Sequence, residues 1–196
     1  MSNTNQSNLQ SVDWSKLPPP GDDGTADHLL GMDWPDIPLP STDGGAVNVS
    51  RLSDLSIMFA YPMTGRPDVE LPEGWDLTPG ARGCTPQACS FRNAHGELLS
   101  AGMDHVFGLS VQDTDYQSEA AERLHLPYPL LSDSLGKLQS VLKPPMFKIA
   151  GLTLFQRITY AVRNGKIEKI WFPAFPPDQN VDAVLSWLKE PTVSDD

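Results

Sequence analysis

The chain has two cysteines, Cys84 and Cys89, in the stretch Gly83-Cys84-Thr85-Pro86-Gln87-Ala88-Cys89-Ser90-Phe91-Arg92. Pro86 suits the first turn of a helix, where its missing N–H would have no partner. The pattern predicts a helix beginning at Cys84–Pro86, with Cys84 at its start. A thiol there feels unpaired backbone N–H groups and the positive end of the helix dipole, and both favour thiolate over thiol. Arg82 and Arg92 add positive charge nearby. A thiolate attacks soft electrophiles, a peroxide O–O bond among them, and the first product is a sulfenic acid.

Cys89 stands five residues after Cys84. In an intact helix their α-carbons are about 8–9 Å apart, from the rise and rotation per residue. Disulfides rarely tolerate more than about 7 Å. A bond between Cys84 and Cys89 therefore requires this turn to unwind. That excludes a quiet structural staple and fits a switch between a folded reduced state and a locally unfolded oxidised one.

The surrounding elements read as alternating strands and helices. Leu55–Tyr61 is a short, nearly continuous apolar run ending at Pro62, the pattern of a central strand. Residues 62–83 hold four prolines and four glycines, a loop of a length that is usually functional. The first helix is expected to stop at Gly96. Val106–Val111 follows as a strand, then a helix capped by Thr114, with Gln117 completing a capping box, that runs to about Leu124. Pro127–Leu131 reads as extended and Leu135–Leu142 as a short helix, while residues 143–156 have no clear pattern. Ile158–Val162 and Lys166–Phe172 flank Asn164-Gly165, a strong hairpin signal. A last helix, capped by Asp178, carries Val181, Val184, Leu185 and Leu188 on one face. The order implies an α/β protein with a mixed central sheet flanked by helices.

Ahead of this domain, residues 1–27 are polar and proline-rich, and they read as a flexible extension in which Trp14 and Leu17 are the candidates for docking. The domain itself is expected over 28–190, and 191–196 as a disordered tail. With 196 residues the chain holds one domain of ordinary size. Fourteen basic against 25 acidic residues give a net charge of −11, which argues against nucleic-acid and membrane-surface partners. Met1–Asn8 has neither a basic nor an apolar signal region, so a cytoplasmic location is expected, and with it reactive rather than structural cysteines. His28, His95, His105 and His125 show no metal-ligand spacing.

Several stretches, in this order, resemble the peroxiredoxins, specifically the peroxiredoxin Q or bacterioferritin comigratory protein branch of the AhpC/TSA-like group. They are Phe59-Ala60-Tyr61-Pro62, the Cys84–Arg92 stretch, Gly108-Leu109-Ser110 followed by a helix, Leu126-Pro127-Tyr128-Pro129-Leu130-Leu131-Ser132-Asp133, and Arg157-Ile158-Thr159-Tyr160-Ala161-Val162. The resemblance covers about residues 28–190. It implies a thioredoxin-like fold and thiol peroxidase activity on hydrogen peroxide and organic hydroperoxides, with no metal, haem or flavin cofactor. Cys84 matches the peroxidatic cysteine and Cys89 the resolving cysteine of the same chain. Arg157 matches the arginine that stands beside the thiolate. The implied partners are a peroxide substrate and thioredoxin or a similar dithiol reductant, with the chain a monomer or homodimer.

The match departs from the family pattern just before Cys84. The family carries Thr or Ser three residues before the peroxidatic cysteine and Pro seven before, where this chain has Ala81 and Leu77. Thr78-Pro79-Gly80 looks like the family's Thr-Pro-Gly with Ala81-Arg82-Gly83 inserted after it. Thr78 is the candidate hydroxyl for holding peroxide, with Thr85 and Thr64 as substitutes. The altered loop supports a rival function, a thioredoxin-fold redox sensor or interaction protein whose Cys84–Cys89 disulfide toggles partner binding with little turnover.

Overall fold

A computed structural model describes residues 12–190 of the chain. Its centre is a five-stranded mixed sheet. In chain order the strands are β1 (Leu39–Pro40), β2 (Ala46–Val47), β3 (Ser56–Ala60), β4 (His105–Ser110), β5 (Leu130–Ser132), β6 (Met146–Ile149), β7 (Leu152–Phe155), β8 (Ile158–Arg163) and β9 (Lys166–Trp171). The helices are α1 (Cys84–Asn93), α2 (His95–Ser100), α3 (Thr114–Arg123), α4 (Lys137–Leu142) and α5 (Asn180–Leu188). The main sheet has the order β5-β4-β3-β8-β9. Strands β3, β4 and β5 run parallel, and β8 and β9 antiparallel to their neighbours.

β3 is buried along its whole length and, after Ser56, apolar, because it is covered on both faces. Its side chains alternate. Ile57 and Phe59, with Tyr61 beyond the strand end, enter one core with Cys84, Ala88 and Phe91 of α1 and Val181, Val184 and Leu185 of α5. Met58 and Ala60 enter the opposite core with Leu138 and Leu142 of α4, Phe155, Ile158 and Tyr160. In the antiparallel register Ala60 pairs with Ile158. Arg157, one residue earlier, therefore lies at the end of β3 from which the chain enters the long loop toward Cys84.

The structure differs from the sequence expectations at several boundaries. Gly96 does not stop the helical region, because α1 ends at Asn93 and Gly96 sits inside α2. Asp113, not Thr114, caps α3, and its carboxylate accepts the Tyr116 N–H at 2.7 Å. Gln117 turns inward instead of closing a capping box, and donates to Ser110 Oγ and the Leu131 carbonyl. Asp178 lies within a short 3-10 turn, Pro177–Gln179, that leads into α5 without a side-chain cap. Residues 143–156 contain the β6–β7 hairpin.

Residues 1–11 of the expected extension and the expected tail 191–196 lie outside the described residues. Between residues 12 and 27 the chain touches the rest of the domain. Trp14 sits edge-on against Phe175, with ring centroids 5.9 Å apart, and Ala26 is buried in the second core. Trp14 is thus one of the two side chains that the sequence marks for docking. Among the described residues no helix is long and apolar enough to cross a membrane.

Candidate active site

Gly83 introduces α1 with a left-handed backbone, φ 111°. A β-carbon there would collide with the Pro177 ring and come within 2.9 Å of Trp14 Cη2. Both conditions require glycine. Cys84 follows as the first residue of the helix, 5% exposed, and Cys89 lies in the same uninterrupted helix, also buried. Both cysteines are free thiols.

Arg157 brings its guanidinium to the sulfur. Nη2 donates to Cys84 Sγ at 3.4 Å and lies within reach of three successive carbonyls, Gly80, Ala81 and Arg82, at 3.3, 3.5 and 3.1 Å. Nη1 donates to Gln87 Oε1 at 2.6 Å. Gln87 Nε2 in turn donates to Asn180 Oδ1 at 3.1 Å, which also accepts from Thr159 Oγ1 at 2.7 Å. The guanidinium is 2% exposed and forms no ion pair with a carboxylate among the described residues. An unpaired buried cation is costly. Carbonyl dipoles offset part of that cost, and negative charge on Sγ would offset more.

Gln87, Asn180 and Thr159 went unmarked in the sequence. One signal for Gln87 was available, since it stands one helical turn after Cys84 on the same face. Asn180 and Thr159 carry no local signature, because only the packing of α5 against the sheet brings them to Gln87.

The pre-cysteine loop is fixed from its other side. Ala81 is fully buried in a small core with Trp75, Ile149 and Leu154, against which Phe147 packs. The β6–β7 hairpin thus clamps the loop, and the Ala81 carbonyl accepts from the Cys84 thiol at 3.8 Å. The family hydroxyl position is filled by a methyl group facing an apolar wall. Thr78 Oγ1 donates to the Gly74 carbonyl at 3.0 Å, and Thr64 Oγ1 shares Gln112 Oε1 at 3.3 Å. No hydrogen bond links Thr78, Thr64 or Thr85 to Cys84 or Arg157.

Around Cys89 the helix is pinned by Tyr128, whose hydroxyl donates to the Ala88 carbonyl at 2.6 Å. Burial pushes the Cys89 thiol above its ordinary range, and the charges of Arg92 and Arg123 pull it partly back. Arg92 Nη1 is held by the Leu124 carbonyl at 2.7 Å, and Arg123 pairs with Glu119 at 2.6 Å. Tyr61, in the same core as Cys84, is pushed strongly toward its neutral form by burial, and its hydroxyl has no hydrogen-bond partner. Among the described residues no cluster of histidine, cysteine and acidic side chains could hold a metal.

A sheet with this strand order, a cysteine opening the helix after its central strand, and an arginine just before the neighbouring strand define a thioredoxin-like protein with a buried cysteine–arginine centre. The Redoxin family model matches residues 29–185. The chain is 35% identical over 115 residues to chloroplastic peroxiredoxin Q of Gentiana triflora, a match covering 58% of this chain and 50% of that one. It is 35% identical over 123 residues to peroxiredoxin Bcp of Escherichia coli strain K12, covering 58% of this chain and 72% of the relative. The crystal structure of peroxidoxin BcpB from Mycobacterium tuberculosis superposes with a TM-score of 0.64 at 26% identity, over 81% of this chain and 95% of that one. The chain belongs to the Redoxin family and, within it, to the peroxiredoxins of the Q and Bcp kind. It spans about half the length of the plant relative.

Proposed function

We propose that the chain is a thiol-dependent peroxidase that reduces hydrogen peroxide and organic hydroperoxides, with Cys84 as the attacking thiol. The observation that carries this reading is the contact of Arg157 Nη2 with Cys84 Sγ at 3.4 Å inside a buried, carbonyl-lined corner. The Cys84 thiolate attacks the terminal peroxide oxygen, and the O–O bond breaks. Alcohol or water leaves with a proton, and Cys84 becomes a sulfenic acid. Arg157 stabilises the charge on sulfur and the charge developing on the peroxide oxygens.

Cys89 then condenses with the sulfenic acid. An S–S bond forms and water leaves. With both cysteines in α1, this step requires the first turns of the helix to unwind. An external dithiol of the thioredoxin kind restores both thiols by exchange and becomes a disulfide itself. Two free cysteines suit a reducing, cytosol-like compartment.

The pre-cysteine threonines are held elsewhere, so the peroxide is oriented by the guanidinium and backbone N–H groups at the start of α1. The relatives' names favour turnover over the redox-sensor reading. Stopped-flow consumption of hydrogen peroxide and cumene hydroperoxide by wild type and Cys84→Ser tests the proposal. The variant is expected to be inactive, and turnover near wild type in the variant would overturn the assignment.

A further inference from the structure

The segment 12–20 runs along the outside of the pre-cysteine loop. Its first part is a self-contained turn. Asp13 accepts the Ser15 N–H and pairs with Lys16, and the Leu17 N–H returns to the Trp14 carbonyl. This turn presents the Trp14 ring edge to Phe175 and to the bare backbone of Gly83. Pro18-Pro19-Pro20 follows as a stiff spacer. Its last ring lies 3.4 Å from where a β-carbon of Gly80 would be. Leu17 and Pro18 close over a small cavity whose other walls include Thr78, Arg82 and Phe175. The strap therefore touches the two glycines that bracket Ala81-Arg82, and its tryptophan rests on the residue immediately before Cys84.

We infer that Trp14 is a positioning residue that holds the Gly83–Cys84 turn in its reduced form, so that docking of this strap opposes formation of the Cys84–Cys89 disulfide. The inference rests on the peroxidase reading above. The contact surface for Trp14 includes Gly83 at φ 111°, on which Pro177 also packs, an arrangement that exists while α1 starts at Cys84. Unwinding the first turn dismantles that surface. A group that binds one of two states favours it by its differential affinity, so the docked strap favours the dithiol state. The strap is preorganised by its capped turn and its prolines, which lowers the entropy lost on docking. It is also releasable: Trp14 Nε1 is buried with no acceptor among the described residues, so docking onto them leaves one N–H unmet. The strap thus lengthens the life of the Cys84 sulfenic acid before Cys89 reaches it, which also leaves that sulfur open longer to a second peroxide.

The test uses the full-length chain and needs no peroxidase turnover for its first measurement. Wild type, Trp14→Ala, Trp14→Phe and Leu17→Ser are equilibrated in mixtures of reduced and oxidised dithiothreitol. The two protein thiols pass two electrons and two protons to oxidised dithiothreitol as the protein S–S bond forms. Alkylation and mass spectrometry count the dithiol and disulfide forms. Trp14→Ala is expected to shift the equilibrium toward disulfide by about tenfold, a potential more negative by about 30 mV for this two-electron couple. Leu17→Ser should shift it in the same direction by less. Trp14→Phe should shift it by less than Trp14→Ala, because a phenyl ring keeps part of the apolar face but falls short of the indole Cη2 that meets Gly83. After a peroxide pulse, Trp14→Ala should also form the disulfide faster and accumulate less sulfinic acid. Unchanged equilibrium and unchanged partition in both Trp14→Ala and Leu17→Ser would overturn the strap while leaving the peroxidase reading intact. A wild type that consumes peroxide but forms no intrachain disulfide would remove the resolving role of Cys89 and the strap with it.

Discussion

Arg157 Nη2 and Cys84 Sγ are 3.4 Å apart across 73 residues of sequence, joined only because β8 runs beside β3 and α1 starts where β3 leads. The pair is buried and shared with no acidic side chain. A single positive charge thus serves the sulfur and the carbonyls of the preceding loop, and in the proposed reaction the incoming peroxide as well.

Replacing Arg157 with Met keeps much of the stem and removes the charge. The rate of peroxide reduction at neutral pH is expected to fall by about 10²–10³, the usual loss for a transition-state donor. Stopped-flow consumption measures it, and a thermal melt checks that the fold survives the loss of bonds to Gly80, Ala81 and Arg82. A folded variant with the wild-type rate would place Arg157 outside the reaction.

Gln87 acts through Arg157. Gln87→Leu removes the 2.6 Å acceptor from Nη1 and the donor to Asn180. A hydrogen bond to a charged group contributes about 1.5–3 kcal/mol, so a tenfold or larger fall in the peroxide rate is expected. Asn180→Ala, one bond further away, should cost less. A larger loss at Asn180 than at Gln87 would contradict this order.

Gly83→Ala should destabilise the protein by about 2–4 kcal/mol, from the left-handed backbone together with crowding against Pro177 and Trp14. Urea denaturation of the reduced protein gives the figure. A loss below 0.5 kcal/mol, as on an ordinary surface, would mean that the start of α1 relaxes freely.

Burial raises the Cys89 thiol, so the folded state favours the protonated form. In a Cys84→Ser background, Cys89 alkylation by iodoacetamide should reach half its limiting rate above about pH 8.5, the ordinary cysteine value. The sign for stability follows from the same shift. The contribution is fully present below the unfolded value and is lost as pH rises through the folded one, because the unfolded chain then binds fewer protons. An alkylation midpoint below the ordinary value would show that Arg92 and Arg123 outweigh burial.

Oxidation should unwind the beginning of α1. Hydrogen exchange is expected to show lost amide protection over residues 85–91 in the oxidised protein. Cys89→Ser should consume one equivalent of peroxide in forming the sulfenic acid and, in excess peroxide, a second in converting it to sulfinic acid. An oxidised wild type with the Cys84–Cys89 bond and undiminished protection would contradict the unwinding step.

The parts of this site that carry their own local signal were legible in the sequence. Cys84 was marked by its place before Pro86, and Arg157 by its match to a family stretch. The β8–β9 hairpin was marked by Asn164-Gly165, both at positive φ. Its twin, β6–β7, turns through Ala150-Gly151 with the same pair of positive φ values, yet alanine gives no turn signal and the hairpin went unread. The cap of α3 fell one residue away because Asp113 and Thr114 are both good caps and only the observed bond to Tyr116 decides between them. Gln87, Asn180 and Thr159 meet through tertiary packing alone, and no spacing in the chain encodes that meeting.

The Nη2 group of Arg157 carries two protons and faces four acceptors, one sulfur and three carbonyl oxygens. Such an over-subscribed donor redistributes its bonds rather than losing them. When the sulfur carries charge it draws a proton from the carbonyls, and when the sulfur leaves to bond with Cys89 the carbonyls recover it. In the proposed redox cycle the loop at 80–82 therefore stays moored to Arg157 at the start of β8, and the motion falls on the chain from Gly83 onward. Re-formation of α1 on reduction starts from a fixed edge, with the guanidinium already waiting where the sulfur must return.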